Sequence, residues 1–450
     1  AMMRRVVKLL VVLLVLALGL GYFGVHKLRT GPGLPSGTLA IPGLQAPVEI
    51  LYDSMGVPHL FAESTADLFR AQGWVHAQDR LWQIEMFRRV QDGRLSEIFG
   101  PSMIETDRFL RTIGMGIAGA RGLPAKGTPM RANTEHYAAG VNAALESREG
   151  SLPPEFVLLR LKPEPWEPRL TQGIEKIMAW DLSDYQTGLS LAEARSILGD
   201  EKLLPLMPRY PDWGPTIVDG WPEENLDARD AGAQILEGAA ATTATTAATT
   251  EGRLPAGTLP PAPAQSLVAQ AKLAQDVASV LELGSVVRAS NSWVGGGERS
   301  RSGKPLVAND MHLALNAPNI WYLIGLHAPG YDVVGMSLPG APGVVAGHSA
   351  AVAWGFTNAM VDDSDFFIEQ VNPEDSTEYR TPDGWQPFET RVETIPVRGG
   401  EDVTMTVRST RHGPVITPVE DRAQGRVLAF RWVAHEPAGT FEALLGLSLI

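Results

Sequence analysis

The chain contains no cysteine. That excludes disulfides, thiolate zinc sites, iron–sulfur clusters and a cysteine nucleophile together. It leaves the compartment open, because a secreted protein can do without disulfides. Positive charge is also short: 38 Lys and Arg stand against 51 Asp and Glu, a formal net charge of −13. Sequence-independent nucleic-acid binding needs Lys and Arg to displace counterions, so no nucleic-acid partner is expected. Repeats with a period of about 20–50 residues are absent, and long apolar runs are confined to the first thirty residues. What remains is ordinary for a folded chain. Of 450 residues, 44% are hydrophobic and 20% charged, enough to bury a sizeable core and to exclude wholesale disorder.

Arg4, Arg5 and Lys8 precede an uncharged apolar run from Leu9 to Val25, and His26, Lys27 and Arg29 follow it. This is the layout of a signal peptide or membrane anchor over residues 1–29. The run is at the short limit for a membrane span. Leu18-Gly19-Leu20-Gly21 is a weak substitute for a cleavage site, which favours a retained anchor, with the membrane contacted through residues 9–25. A buried core helix is the plain alternative, but such helices rarely have unbroken apolar faces. Anchor or signal, the remainder is expected to be extracytoplasmic: periplasmic, or anchored and facing outward.

Residues 30–47, rich in Gly and Pro, read as a tether. Val48 to Tyr52 reads as a strand, and Asp53 to Pro58 as the turn after it. Ser64 fits a helix N-cap with Asp67 at the third helical position, and Leu68, Ala71, Val75, Trp82 and Met86 form a helical stripe that Gly93 can close. Tyr137 to Leu145 and Gln172 to Leu182 also read as helical. Ala239 to Thr250 holds only alanine and threonine, and Glu251 to Gln265 adds four prolines; no core can be built from such a segment. Ser266 to Leu283 reads as a short amphipathic helix. After Gly284 the texture turns to strands: Ser292–Val294 and Pro305–Ala308 as a hairpin, then Val352–Gly355, Phe366–Ile368, and Glu401–Arg411 paired with Gly413–Ile416. Trp293 and Trp354 are expected in the core. The organisation is therefore a helix-rich region 48–237, a low-complexity spacer 238–289 and a β-rich region 290–450.

Three stretches resemble the penicillin acylases, a branch of the N-terminal-nucleophile hydrolases. The first joins Gly56-Val57-Pro58-His59 to Gly73-Trp74-Val75-His76-Ala77-Gln78-Asp79-Arg80-Leu81-Trp82-Gln83 and to Gly93-Arg94-Leu95-Ser96-Glu97, like the opening of the family's α chain. The second, Ser290-Asn291-Ser292-Trp293-Val294, looks like the start of its β chain. The third runs from Asn309-Asp310-Met311-His312 through Gly325-Leu326-His327, Gly347-His348 and Trp354-Gly355-Phe356-Thr357-Asn358 to Asp362-Asp363-Ser364-Asp365. The resemblance implies an α+β fold, the four-layer αββα sandwich, incomplete at its C-terminus because the family's β chain is longer than the residues after Ser290. It also implies a precursor that cuts itself between Ala289 and Ser290, discards the spacer and works as a heterodimer of its own α and β chains.

The chemistry is intelligible on its own terms. A serine hydroxyl needs a base beside it. If the Ala289–Ser290 bond breaks, Ser290 gains an α-amine, a group that titrates at about pH 7.7–8.0 in unstructured peptides and can serve its own side chain as that base. By position, the resemblance places His312 near the nucleophile, gives the Asn358 backbone N–H the role of an oxyanion donor, and sets Leu313 and Ala346 at acyl-binding positions that are phenylalanine in members cleaving phenylacetyl amides. Two aliphatic residues there favour a longer aliphatic acyl group. It further implies a structural calcium on Asp362, the Ser364 carbonyl and Asp365, hard oxygen donors that suit the ion. The family's α-chain glutamate is missing, since Gly188-Leu189 stand at its place, with Glu193 the substitute at hand. His76, Asp79 and Arg80 read as a buried polar network of the scaffold. No organic cofactor is expected.

The resulting reading is a self-processing acylase that removes an acyl group from a small-molecule secondary amide, such as a β-lactam antibiotic, an acyl-homoserine lactone or a lipopeptide. The alternatives are a catalytically inactive anchored binding protein on the same fold, or an inactive fragment.

Overall fold

A computed structural model describes residues 36–147, 152–183, 185–207, 289–313, 317–359, 361–419, 426–437 and 439–447, with scattered positions between 14 and 24. Most of the N-terminal apolar run, nearly all of the spacer and the expected helix at 266–283 lie outside the described residues. Among the described residues, no helix is long and apolar enough to cross a membrane.

Helix α1, Thr65–Asp92, forms where the caps and stripe require it. Ser64 Oγ accepts from the Asp67 N–H at 3.1 Å, and Gly93 closes the helix in the left-handed region at φ 58°. Arg80 breaks the helical dihedrals at φ −133° and ψ 26°, and its guanidinium donates to Asn319 O at 2.6 Å. Leu68, Ala71, Val75 and Met86 are buried. Helix α2, Pro129–Ser147, crosses α1 at very close range. A Cβ on Gly73 would strike the Tyr137 carbonyl, and one on Gly140 the Arg70 carbonyl, so only glycine permits that backbone approach. Helix α3, Pro168–Leu182, packs beside both.

The fold is mixed helix and sheet, and its largest sheet joins the helix-rich and β-rich regions. Strands β1 (Glu49–Tyr52) and β2 (Pro58–Phe61) come from the helix-rich region. They are followed in chain order by β3 (Ala289–Gly295), β4 (Leu306–His312), β5 (Tyr322–Ala328), β6 (Tyr331–Ser337), β7 (Ala346–His348) and β8 (Ala353–Trp354). The six-stranded sheet has the order β1-β2-β5-β6-β7-β8, with β2 parallel to β5 and its other neighbours antiparallel. The helix-rich region thus supplies two strands, one of which, β2, lies inside the turn expected at 53–58 only by its first residue. Strands β3 and β4 form a separate antiparallel pair. Strand β9 (Ser364–Glu369) pairs with β15 (Val427–Trp432), and between them β10 (Glu378–Thr381) pairs with β11 (Gly384–Pro387). Strand β13 (Val403–Thr410) takes the expected partner β14 (Gly413–Pro414), but its long partner is β12 (Glu389–Ile395).

The polar groups around His76 are matched. His76 is fully buried, with Nδ1 2.8 Å from Tyr137 Oη and Nε2 3.0 Å from Ser337 Oγ. The Ser337 hydroxyl donates to Tyr322 O, so it accepts from His76 Nε2–H, and Tyr137 O–H donates to Nδ1. The imidazole is therefore neutral. Burial, reinforced by the Arg80 charge, pushes its pKa down to about 3. Asp79 accepts from Tyr322 Oη at 2.5 Å, but Asp79 is exposed and Arg80 half-buried, so of the buried network expected of α1 only His76 lies inside the core. An aromatic cluster of Phe109, Trp180, Tyr185, Phe366, Phe430 and Trp432 ties the helices to the β9–β15 pair.

Candidate active site

Ser290 is the second residue of β3, and the β3–β4 register fixes what surrounds it. Ser290 pairs with Met311, Asn291 with Asp310, Ser292 with Asn309 and Ala289 with His312. Directly opposed residues share a face, and faces alternate along each strand. Ser290, Ser292, Asn309 and Met311 therefore stand on one face, and Asn291, Asp310 and His312 on the other. The Asn358 N–H donates to Ser290 Oγ at 3.1 Å. Among the described residues, this is the one hydrogen bond to that hydroxyl. The Asn358 side chain turns away and donates to Leu182 O, at the end of α3, at 3.3 Å.

The structure thus brings Ser290 and Asn358 together and leaves His312 apart. The His312 Nε2 lies 3.0 Å from Asp310 Oδ2 and 3.3 Å from Asn291 Nδ2, the contacts of the opposite face. Its ring is not turned to Ser290, because it sits an odd number of residues along the ladder from the residue opposing Ser290. Leu313 is half-buried against the main apolar core, and Ala346, in β7 opposite Met336, is buried. A cleft of about 350 Å³ lined by Glu97, Arg160, Arg398 and Asp402 contains none of these positions.

The sequence alone assigns no role to Asn309, although it opens the run that ends at His312. Its Nδ2 donates to Asn291 O at 3.0 Å and to Phe356 O at 2.9 Å, and its Oδ1 accepts from Phe356 N at 3.1 Å. An asparagine among exposed strand residues gives no local sign of this, since the partner backbone is 47 residues away. Trp293 corrects an expectation: it is 59% exposed rather than core. It shares the outward face of the hairpin with Asn291, and nothing among the described residues covers it. Trp354 does pack against the core and donates from Nε1 to Val345 O at 2.7 Å.

In the acidic run, Asp363 Oδ2 accepts from Trp432 Nε1 at 3.2 Å, and Asp365 Oδ1 accepts from the Phe366 N–H at 2.8 Å. Gly188 packs its backbone on the Phe366 ring, and Leu189 is buried; the Glu193 side chain lies outside the described residues. Among the described residues, no group of three or more His, Asp or Glu side chains converges to hold a metal ion. Oxygen donors of the right kind are present, but a calcium ion here would depend on carbonyl oxygens beside Asp362 and Asp365.

Residues 47–450 match the family described as penicillin amidase. The chain is 32% identical over 437 residues to an acyl-homoserine lactone acylase QuiP of Pseudomonas aeruginosa, covering 93% of this chain and 47% of that protein. It is 33% identical over 399 residues to the penicillin acylase 2 proenzyme of a Pseudomonas species, strain SE83, covering 88% of this chain and 47% of the relative. The chain thus spans about half the length of the curated relatives it matches. A solved thermostable penicillin G acylase from Alcaligenes faecalis aligns over 39% of this chain and 98% of that one, at 30% identity and a TM-score of 0.34.

Proposed function

Because this chain belongs to the penicillin amidase family, we propose that it carries the nucleophile and one oxyanion donor of an extracytoplasmic, self-processing acylase. The observation that carries the reading is the 3.1 Å approach of the Asn358 N–H to Ser290 Oγ, on a hydroxyl that no imidazole among the described residues reaches. A serine without a histidine partner needs a base from elsewhere, and cleavage after Ala289 would supply one as the Ser290 α-amine.

In this mechanism Ser290 Oγ attacks the amide carbonyl while its proton passes to the α-amine. The new C–O bond places negative charge on the former carbonyl oxygen, within reach of the Asn358 N–H. A donor already fixed in place stabilises that charge without reorganising. The intermediate collapses, the C–N bond breaks, and the α-ammonium returns its proton to the leaving amine. Water then attacks the acyl-serine by the same route and releases the carboxylic acid. His312 has no proton to move in this scheme; its pairing with Asp310 and Asn291 braces the strand behind the nucleophile.

The substrate class follows from the relatives' names and from two positions. One relative is named for acyl-homoserine lactones and another for penicillin. Leu313 and Ala346 are aliphatic and supply no ring face, which favours medium or long aliphatic acyl groups. The four-layer αββα sandwich and a heterodimer of 48–237 with the chain beginning at Ser290 belong to the same proposal. So does a structural calcium held through Asp362, Ser364 and Asp365; no step of the reaction passes through it.

The test is made on the full-length protein. Mass spectrometry and N-terminal sequencing should find a chain beginning at Ser290, and Ser290→Ala should abolish both the cut and amide turnover. A Ser290→Ala variant with normal amidase activity would place the nucleophile elsewhere.

A further inference from the structure

Ser290 and the Asn358 N–H sit on different sheets. Ser290 belongs to the two-stranded β3–β4 pair, whereas Asn358 follows β8, a two-residue strand at the rim of the six-stranded sheet. Among the described residues no strand pairing joins these sheets. The 3.1 Å approach of donor to hydroxyl therefore needs another cause.

One carboxamide spans the gap. By donating to Phe356 O and accepting from Phe356 N, the Asn309 side chain copies a rung of an antiparallel ladder. Its other amide hydrogen goes to Asn291 O, on the residue after the nucleophile. Both of its donor hydrogens and one acceptor lone pair are used. Gly355 permits the approach, because a Cβ there would lie 2.6 Å from Asn309 Cβ, Cγ and Oδ1, closer than real Cβ contacts come. The loop carrying the oxyanion donor is thus fastened two residues before Asn358 to a side chain on the nucleophile's own hairpin, on the same face as Ser290.

We propose that Asn309 is the positioning residue that sets the distance between Ser290 Oγ and the Asn358 N–H, with Gly355 as the residue that seats it. This rests on the acylase reading and deepens it. Asn309 touches no reacting atom; it acts through Phe356 and the two peptides that follow. A brace for the fold alone would make the same hydrogen bonds, so the test must separate stability from transition-state stabilisation.

Four variants of the full-length protein do this: Asn309→Asp, Asn309→Ala, Gly355→Ala and the double variant Asn309→Ala/Gly355→Ala. Aspartate keeps the shape and the acceptor for Phe356 N–H, but loses both donations and sets a carboxylate against two carbonyl oxygens. For each variant one measures kcat and KM on an aliphatic acyl amide. One also measures Ki for the alkylboronic acid of the same chain length, which bonds to Ser290 Oγ as a tetrahedral adduct, Ki for the product carboxylic acid, and Tm.

Asn309→Asp and Gly355→Ala should lower kcat on the order of 100-fold, the scale of a misplaced oxyanion donor, and weaken the boronic acid in parallel. KM and the product-acid Ki should stay within about threefold, the range of ground-state binding left intact. In the double variant the loss should not exceed that of Asn309→Ala alone, because the missing carboxamide frees the space the new Cβ needs. A kcat within about threefold of wild type in Asn309→Asp overturns the proposal. So do multiplying losses in the double variant, or product-acid affinity falling in step with the boronic acid. If Asn309→Asp does not fold, the Gly355 cycle decides. Amide hydrogen exchange across 355–359 gives a readout independent of turnover: it should quicken in all three single variants even if Ser290 proves not to be the nucleophile, and unchanged exchange refutes the clamp itself.

Discussion

Replacing Asn358 by proline removes the one atom that the oxyanion role requires. The N–H that stands 3.1 Å from Ser290 Oγ disappears, because proline has no amide hydrogen. Loss of a single preorganised donor costs about 10²–10³ in kcat, or roughly 2.7–4 kcal/mol of transition-state stabilisation. Replacing Asn358 by alanine instead keeps the N–H and removes the bond from Nδ2 to Leu182 O, a 3.3 Å contact between exposed groups. That bond contributes stability near the lower end of about 0.5–1.5 kcal/mol, and none of it is specific to the transition state. The two variants should therefore differ by about two orders of magnitude in kcat, while their melting temperatures stay close. A chromogenic aliphatic anilide gives the assay: single-turnover release of the aniline reports acylation, and steady-state kcat reports the slower step. Proline also restricts Thr357 toward extended dihedrals, so circular dichroism and thermal melting accompany the kinetics. If Asn358→Ala loses as much activity as Asn358→Pro, the side chain rather than the main chain carries the role and the geometry has been misread. If Asn358→Pro keeps wild-type kcat, this N–H is not an oxyanion donor.

Three further outcomes follow from the structure. His76 is neutral in the fold because burial, and then Arg80, depress its pKa to about 3, while the unfolded chain takes up its proton near 6.5. The unfolded state thus binds more protons between these values, so stability falls as pH drops below 6.5, by about 1.4 kcal/mol per unit from this residue; urea unfolding of His76→Gln should show a shallower slope, and an unchanged slope would contradict the neutral imidazole. At the acyl site, kcat/KM should rise with aliphatic chain length by about 0.8 kcal/mol per buried methylene and exceed that for phenylacetyl, and Leu313→Phe should reverse the order; phenylacetyl amides as the best wild-type substrates would defeat the pocket argument. Finally, EGTA should lower Tm and added calcium restore it, an effect lost in Asp362→Ala/Asp365→Ala; a Tm indifferent to EGTA removes calcium from the reading.

How far the sequence reaches depends on the separation of partners along the chain. Helix α1 is legible because its determinants are local: Ser64 and Gly93 cap it, and its stripe repeats within the helix. The β3–β4 hairpin is legible for the same reason, with a short Gly/Ser-rich turn between its strands. Strand β2 escapes notice because it is four residues beginning with proline, and its parallel partner β5 lies far along the chain, with His59 opposite Gly325. Within the site, the type of each residue is readable and its facing is not. Whether His312 looks toward Ser290 turns on a one-residue difference in register, which only the hairpin's geometry decides. Trp293 makes the complementary point: a large aromatic ring reads as core until one knows what covers the face it stands on.

The shared sheet bears on the proposed cut at Ala289–Ser290. Breaking that bond and removing the spacer would leave the helix-rich and β-rich regions joined only by non-covalent contacts. Those contacts run through the interior. Strand β2 keeps its ladder with β5. Gln72 both donates to Gly343 O and accepts from Gly343 N at 2.9 and 2.8 Å, and both groups are buried. Thr171 Oγ1 donates to Gly340 O, Tyr137 Oη accepts from Gly340 N, and His76 meets Ser337. Separating the regions would expose each of these groups without its partner, at about 1–3 kcal/mol apiece, along with the apolar core between α1 and β5. A cut at Ser290 is thus compatible with an intact fold, because the strand that carries it lies outside the shared sheet. Ser290 occupies a hairpin whose upstream connection could be severed without disturbing the ladder that holds the two regions together, and the Asn309 carboxamide, anchored within the β-rich region on both sides, would keep its grip on the loop at Phe356 after such a cut.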